Sequence, residues 1–198
     1  MNKGTLIIVS GPSGSGKDTV LKRLFQKMPE LEFSISSVSR AMRDDEIQGE
    51  KYNFITRDEF EKMIADNQLL EYNVYCGNYY GTPKAPVERC IASGGEIVLE
   101  IDVNGAENVR KNCSDYFSVF IAPPSFDELS KRLVGRGTET QEVIEKRPEQ
   151  AKIELVRAYE YDYIVVNDDL ETAVDELRGI ILAERHKTDR NGDILSRL

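Results

Sequence analysis

The sequence predicts an α/β fold in which helices flank a parallel sheet, and two observations carry that prediction. Short runs centred on apolar residues recur at residues 6–9, 96–102, 116–122 and 163–166. Such runs are typical of strands that are buried on both faces, as the strands of a parallel sheet are. Segments with helical spacing of apolar residues separate the runs, and this alternation favours parallel strands joined by right-handed crossovers.

Three helices are predicted from periodicity and from their end signals. The first follows a glycine-rich turn and ends at Pro29. The second begins at Ser125 and Glu128, which form a capping-box pair, and the third lies near the end of the chain. The apolar positions that define them are Val20, Leu21, Leu24, Phe25 and Met28; Phe126, Leu129 and Leu133; and Ala173, Val174, Leu177, Ile180 and Ile181.

Residues 33–83 interrupt the alternation and predict a small mixed α/β insertion on the parallel core. Strand patterns occur at residues 33–36, 52–55 and 69–75. Between the last two, Thr56 and Glu59 form a capping-box pair that predicts a short helix. A second interruption, at residues 135–147, is polar and rich in charge.

The composition of the chain indicates which kinds of molecule it can bind and in which compartment it acts. Acidic residues number 35 and basic residues 26, so the formal net charge is −9. A chain this acidic is a poor general ligand for nucleic acid or an anionic membrane, and an anionic substrate requires a local basic patch. The spacing of Cys76, Cys90 and Cys113 indicates neither a metal site nor a disulfide framework, which fits a reducing compartment. The first apolar run is too short for a signal-peptide core, so we expect a cytoplasmic protein that binds neither nucleic acid nor membrane.

A phosphate-binding loop is predicted directly after the first strand and before the first helix. Its residues are Gly11, Pro12, Ser13, Gly14, Ser15, Gly16 and Lys17, which satisfy the pattern G-x-x-x-x-G-K. The glycines let the backbone wrap a phosphate with its N–H groups pointing inward, and the helix N-terminus adds partial positive charge. Lys17 supplies a mobile ammonium for the β and γ phosphates of ATP.

Asp18 departs from the motif, because Ser or Thr normally offers a hydroxyl to Mg²⁺ at this position. Thr19 lies about 100° further round the helix and is not a simple substitute. Two interpretations stay open for Asp18. It is a carboxylate ligand of Mg²⁺, directly or through water, or it is a solvent-facing acid favoured by the helix N-terminus.

Seven further segments, in order along the chain, resemble motifs of guanylate kinases. They lie at residues 33–43, 49–54, 70–72, 77–82, 121–125, 133–140 and 166–168. With the phosphate loop, the resemblance covers residues 5 to about 187. It implies a nucleoside monophosphate kinase of purine nucleotide metabolism, which transfers the γ-phosphoryl group of ATP to GMP with Mg²⁺.

The resemblance also implies how the chain is divided. We expect a single domain over residues 1–198 with a P-loop NTPase-type sheet as its core. The expected parts are a core of residues 1–32, 84–134 and 148–187, a GMP-binding insertion of residues 33–83, a lid of residues 135–147 and a tail of residues 188–198.

For the GMP site, the resemblance implies a phosphate-binding group and a base-reading group. Arg40 and Arg43 hold the phosphate, with hydroxyl hydrogen bonds from Tyr52 and Tyr80, a combination that suits fork-like recognition. The base-reading residues implied are Ser36, Glu71, Thr82 and Asp102. A carboxylate at Glu71 accepts the N1–H and N2–H donors of guanine, which adenine lacks. Glu100, which is more often Asp in the family, is expected near the waters of Mg²⁺ or near the arginines.

For the ATP site, the resemblance implies that Arg132, Arg136 and Arg147 contact the transferring phosphoryl group and that Asn167 contacts adenine. Phosphoryl transfer needs charge stabilisation and alignment more than covalent help, which suits arginines.

Two other functions are weighed against a guanylate kinase. A non-catalytic, guanylate-kinase-like module that binds a protein partner would have lost parts of the phosphate loop, whereas Lys17 is present. A P-loop kinase of a sugar phosphate would not need Glu71 and Tyr80 together. The preference between GMP and dGMP and the oligomeric state stay open.

Overall fold

The computed structural model describes residues 4–44, 46–75, 77–134, 149 and 151–190. These residues form two compact units. The first unit contains residues 4–8 and 31–116, and the second contains residues 9–30 and 117–190.

Strands and helices alternate along most of the described chain. The strands are β1 (Thr5–Ser10), β2 (Glu32–Phe33), β3 (Ser36–Val38), β4 (Tyr52–Phe54), β5 (Leu69–Tyr75), β6 (Asn78–Pro83), β7 (Glu96–Glu100), β8 (Tyr116–Ala122) and β9 (Tyr163–Val166). The helices are α1 (Lys17–Lys27), α2 (Arg57–Ala65), α3 (Lys84–Ala92), α4 (Val103–Asn112), α5 (Phe126–Val134) and α6 (Leu170–Arg185). Residues 151–156 are also helical and lead into a 3₁₀ turn, Arg157–Glu160.

The larger sheet has the strand order β2-β7-β1-β8-β9, and β1 gives residues to both units. In the first unit, β2 pairs with β7 in parallel. In the second unit, β8 pairs with β9 in parallel. All six residues of β1 are buried, as an apolar run in a covered parallel sheet should be. The predicted α/β fold with a parallel central sheet is confirmed.

The smaller sheet lies in the first unit and has the order β4-β3-β6-β5. It is mixed, because β3 pairs in parallel with β4 and antiparallel with β6. Helix α2, which carries the predicted capping box, packs on one face of this sheet through Phe60. The Phe60 ring stacks on Tyr79 with 5.0 Å between centroids. A Cβ at Gly81 would lie 2.9 Å from the Cβ of Tyr72, so this position has no room for a side chain.

Two predicted strands end differently in the structure. Residues 33–36 do not form one strand, because Phe33 ends β2 in the larger sheet and Ser36 begins β3 in the smaller one. The strand predicted over residues 96–102 ends at Glu100, because Asp102 is instead the N-cap of α4. The Asp102 side chain accepts hydrogen bonds from the first N–H groups of α4, and this capping starts a helix where the strand was predicted to continue.

Sequence patterns do not indicate β6, α3 or α4. Strand β6 mixes polar residues, Gly81 and Pro83, so it lacks an apolar pattern; it pairs with β5 directly before it in the chain and with the more distant β3. Pro86 and Gly105 lie near the starts of α3 and α4, where such residues are tolerated although they disfavour helix in isolation. Within the described ranges, no helix combines the length and the apolar character that crossing a membrane requires.

Candidate functional site

The phosphate loop occupies the connection between β1 and α1 in the second unit. Gly11, Gly14 and Gly16 have positive φ angles of 152°, 85° and 85°. A Cβ at Gly11 would lie 2.2 Å from the carbonyl oxygen of Ile121, and one at Gly16 would lie 2.3 Å from Nδ2 of Asn167. The loop therefore needs glycine both for its backbone conformation and for close packing.

Lys17 begins α1 and its ammonium folds back over the loop. Nζ of Lys17 donates to the carbonyl oxygen of Gly11 at 2.9 Å and to that of Pro12 at 3.5 Å. The hydroxyl of Ser15 is buried and has no hydrogen-bond partner within the described part of the chain. The loop thus presents a cation and an available hydroxyl at a helix N-terminus, an arrangement suited to an anion.

Asn167 is buried and binds the phosphate loop from the end of β9. Its Nδ2 donates to the carbonyl oxygen of Ser15 at 2.8 Å. The backbone carbonyl oxygen of Asn167 accepts from Nη1 of Arg132 at 3.4 Å, and Nε of Arg132 donates to Glu128 at 3.1 Å. A chain of hydrogen bonds therefore connects Arg132 on α5 to the loop. The contact predicted for Asn167 was adenine, and the structure shows its amide against the loop backbone.

Asp18 and Thr19 are both exposed in the first turn of α1. Among the described residues, no cluster of three or more His, Cys, Asp or Glu side chains could hold a metal ion. In nucleotide sites Mg²⁺ is commonly bound by one or two carboxylates together with substrate phosphates and water.

Five residues predicted to bind GMP lie on one face of the smaller sheet, in the first unit. They are Ser36, Tyr52, Glu71, Tyr80 and Thr82. Ser36 pairs with Tyr52, Val38 with Tyr80, and Glu71 with Thr82. Paired residues share a face of a sheet, and so do residues two apart on one strand. Helix α2 packs on the opposite face through Phe60, Tyr72 and Tyr79, so it does not cover these five side chains.

Glu71 is a buried carboxylic acid, only 6% exposed. The hydroxyl of Thr82 donates to its Oε1 at 2.7 Å. Burial raises the pKa of Glu71 to about 7; the Thr82 hydrogen bond opposes the rise and the negative charge of Asp102 adds to it. A Cβ at Gly105 would lie 3.0 Å from Oε2 of Glu71, so glycine at this position leaves room for the carboxylate.

Asp102 lies near Glu71 and is held by its own helix. Its Oδ1 accepts from the backbone N–H groups of Asn104 at 2.9 Å and Gly105 at 2.8 Å. Nδ2 of Asn73 also contacts the Asp102 carboxylate. The two acids predicted to read guanine are therefore brought close together in the first unit.

Arg40 is paired with Glu46, a residue that the sequence patterns did not single out. Both terminal nitrogens of Arg40 donate to the Glu46 carboxylate, at 2.6 Å and 2.5 Å. The Glu46 carboxylate also accepts from the backbone N–H of Arg43 at 2.8 Å. These bonds, that of Arg40 above all, lower the pKa of Glu46 to about 2. The sequence did contain a signal for this pair: Arg40, Arg43 and Glu46 follow one another at intervals of three residues.

Aromatic residues surround Arg40, among them Tyr52 and Tyr80, which are predicted to contact phosphate. The Arg40 guanidinium lies 5.4 Å from the ring centroid of Tyr52 and 5.2 Å from that of Phe54. The Tyr52 and Tyr80 rings meet edge to face with 6.3 Å between centroids. Hydrogen bonds to Glu46 and then to Tyr80 raise the pKa of Arg40 above its ordinary value.

Glu100 forms an ion pair with Lys51, with 3.0 Å between Nζ and Oε2. A lysine therefore lies beside this acid, and the expected place of Glu100 near the arginines or the waters of Mg²⁺ stays a prediction. Arg136, Arg147 and the predicted lid of residues 135–147 lie outside the described residues.

Comparison with known proteins gives consistent matches over nearly the whole chain. A protein-family profile described as guanylate kinase matches residues 3–184. The chain is 49% identical over 189 residues to a guanylate kinase of Bacillus subtilis (strain 168), covering 95% of this chain and 93% of the relative. It is 46% identical over 189 residues to a guanylate kinase of Desulfitobacterium hafniense (strain Y51), covering 96% and 94%. The crystal structure of guanylate kinase from Anaplasma phagocytophilum matches with a TM-score of 0.78 at 30% identity, covering 96% of this chain and 90% of that one.

Proposed function

Because the chain belongs to the guanylate kinase family, we propose that it transfers the γ-phosphoryl group of ATP to GMP and releases ADP and GDP. The observation that carries this function is the pair of specialised sites. One is a glycine-rich loop with the Lys17 ammonium across it. The other is a buried carboxylic acid, Glu71, on a sheet face rich in hydroxyls.

Guanine recognition is assigned to the Glu71 carboxylate. The ionised carboxylate accepts from N1–H and from one N2–H of guanine, while the Thr82 hydroxyl occupies a further lone pair of Oε1. Two N–H donors favour the charged form of an acid, so GMP offsets the burial that raises the pKa of Glu71 to about 7. Adenine lacks this donor pair, and buried hydrogen-bonding groups of this type discriminate by about 10⁴-fold or more. Ser36 and Asp102 are the further base-reading candidates.

Phosphate recognition is assigned to Arg40 and Arg43 with the hydroxyls of Tyr52 and Tyr80. The Glu46 carboxylate, already bonded to the Arg40 fork and to the N–H of Arg43, supports this assignment because it shows that the site holds an oxyanion. A phosphate dianion carries more charge than a carboxylate and presents three acceptor oxygens. It therefore competes with Glu46 for Arg40.

ATP phosphates are assigned to the loop of residues 11–19. Backbone N–H groups and the Lys17 ammonium neutralise the β and γ phosphates, and the Ser15 hydroxyl is a further donor. We propose that Asn167 acts on this site by holding the loop through Ser15, which is a separate role from contact with adenine. Among the residues that the structure describes, Arg132 is the candidate for contact with the transferring phosphoryl group. Arg136 and Arg147 are further candidates for that contact.

Magnesium is proposed as the cofactor, bound together with ATP. Asp18, exposed beside Lys17, fits the requirement for one carboxylate among phosphate and water ligands. When bound, the ion would supply positive charge that neutralises the ATP phosphates during transfer. Asp18 also places a negative charge beside the phosphates, which is unfavourable unless a cation shields it.

The division of the chain follows from these assignments as part of the proposal. Residues 33–83 would form the GMP-binding part of a single domain, and residues 135–147 the lid that excludes water during transfer. We also propose a cytoplasmic site of action, which the free thiols of Cys90 and Cys113 support because reducing compartments keep thiols reduced.

A coupled assay of ADP release tests the function directly. The protein is incubated with ATP, Mg²⁺ and one of GMP, dGMP, AMP, CMP or UMP. We expect turnover with GMP and none above background with AMP, CMP or UMP, while dGMP measures the undecided preference for the sugar. Comparable turnover with AMP, or none with GMP from a folded protein, would contradict the proposal.

A further inference from the structure

Asn73 contacts the proposed base-reading group, although no motif marks it. It lies on β5 two residues after Glu71, so both side chains point to the same face of the sheet. It pairs across the sheet with Tyr80, another residue of that face. Nδ2 of Asn73 lies 2.8 Å from Oδ1 and 2.7 Å from Oδ2 of Asp102, and it donates to both.

The Asn73 amide is a third hydrogen-bond donor to the Asp102 carboxylate. Two backbone N–H groups at the start of α4 hold Oδ1 of this carboxylate. Asn73 reaches the same carboxylate from β5, on the side of the smaller sheet. Donors from a helix and from a strand therefore fix the Asp102 carboxylate in position, although Glu71 is a second acid nearby.

The amide oxygen of Asn73, in contrast to the paired Nδ2 donor, is an unpaired acceptor among the described residues. Oδ1 is buried and has no hydrogen-bond partner within the part of the chain that the structure describes. Buried polar atoms are almost always paired, so an unpaired acceptor in a binding face indicates a ligand donor. The orientation of the amide is set by Asp102, because turning it over would point Oδ1 at a carboxylate. Asn73 therefore presents an acceptor, and not a donor, to whatever binds there.

We propose that Asn73 is a specificity-determining residue for guanine, an inference that rests on the proposed function. Guanine offers three N–H bonds here. N1–H and one N–H of the 2-amino group lie on its Watson–Crick edge, and the second N–H of the 2-amino group points toward its sugar edge. The Glu71 carboxylate accepts the first and one of the other two. Oδ1 of Asn73 accepts the remaining N–H of the 2-amino group, while Nδ2 holds Asp102. The residue thus selects guanine over hypoxanthine, which has N1–H but no 2-amino group.

The test compares GMP with IMP, which carry the same phosphate and sugar. Steady-state kcat/KM for both nucleotides is measured for the parent and for Asn73→Ala, at saturating ATP. We expect the ratio of GMP to IMP to fall by about tenfold in Asn73→Ala, mainly through the loss with GMP, because IMP makes no bond to Oδ1. The KM for ATP should not change.

Asn108→Ala is the matched control. Its Nδ2 also donates to β5, at the carbonyl oxygen of Tyr72, but at 3.2 Å and without contact to either acid. This variant should keep the parent ratio of GMP to IMP. If Asn73→Ala loses its cooperative unfolding transition, Asn73→Ser repeats the measurement with a small polar side chain.

The outcomes separate this inference from the function on which it rests. A parent protein that does not phosphorylate GMP overturns the proposed function, and the role of Asn73 with it. A parent that phosphorylates GMP while Asn73→Ala keeps its ratio of GMP to IMP overturns the inference alone. An equal loss for both nucleotides also overturns it, because the residue would then act only by holding Asp102.

Discussion

Replacing Glu71 by glutamine should stabilise the unliganded protein, because the native carboxyl is buried at a free-energy cost. Burial raises its pKa from the ordinary 4.5 to about 7. The folded state therefore holds the proton more tightly than the unfolded chain. Stability is greatest below the unfolded pKa and falls as the pH rises to about 7, where the folded carboxyl ionises. Since one unit of pKa shift corresponds to about 1.4 kcal/mol, the loss approaches about 3 kcal/mol above that pH.

Glutamine removes this pH dependence while it keeps the shape of the side chain. Its amide oxygen still accepts from the Thr82 hydroxyl, whose oxygen lies 2.7 Å from Oε1 of the native Glu71. The free energy of unfolding in urea is measured for the parent and for Glu71→Gln between about pH 5 and about pH 8. The advantage of the variant should grow over this range by about 2 to 3 kcal/mol.

Glu88→Gln supplies the control, because it makes the same chemical change at an exposed position of α3. Its difference from the parent should not vary with pH in this way. Stability curves of Glu71→Gln and the parent that run parallel across the range would refute the reasoning.

Binding calorimetry on the same Glu71→Gln variant tests the function of the carboxyl. Glutamine cannot accept from both N1–H and N2–H, so GMP affinity should fall while ATP affinity should hardly change. Equal losses for the two nucleotides would count against Glu71 as the base reader.

Three further predictions concern the phosphate loop. Lys17→Ala should reduce phosphoryl transfer by several orders of magnitude in a folded protein, and normal turnover would rule out its assigned role. Asp18→Ala should raise the Mg²⁺ concentration needed for half-maximal activity, with Asp18→Ser as the active control; a titration that overlays the parent would favour the solvent-facing interpretation. Gly16→Ala should destabilise the protein by about 1–3 kcal/mol and weaken ATP binding, because φ is 85° and the new Cβ would lie 2.3 Å from Asn167. Gly179→Ala, inside α6 with no atom within 4 Å of the added Cβ beyond its chain neighbours and the adjacent helix backbone, should instead stabilise by about 0.5–1 kcal/mol. Parent-like unfolding of Gly16→Ala would contradict the packing argument.

Much of the fold could be predicted because its signals are local. The apolar run of β1, the glycine pattern after it and the capping box of α2 each lie within a few residues, and each is present in the structure. Strand β5 begins and ends at the predicted residues, which sets Glu71 and Asn73 on one face by simple alternation. The sequence by itself thus determined the α/β class, the phosphate loop and most of the elements that carry the candidate residues.

The tertiary structure decided which side chains meet and how they are charged. Asn73 contacts Asp102 across 29 positions of sequence, and Asn167 contacts Ser15 across 152. Neither pair has a local signal, because each depends on which strands and helices become neighbours in the fold. The burial that raises the pKa of Glu71 and the Glu46 carboxylate on Arg40 were equally hidden. Desolvation and hydrogen bonding depend on atoms brought together by packing, and no periodicity in the chain records them.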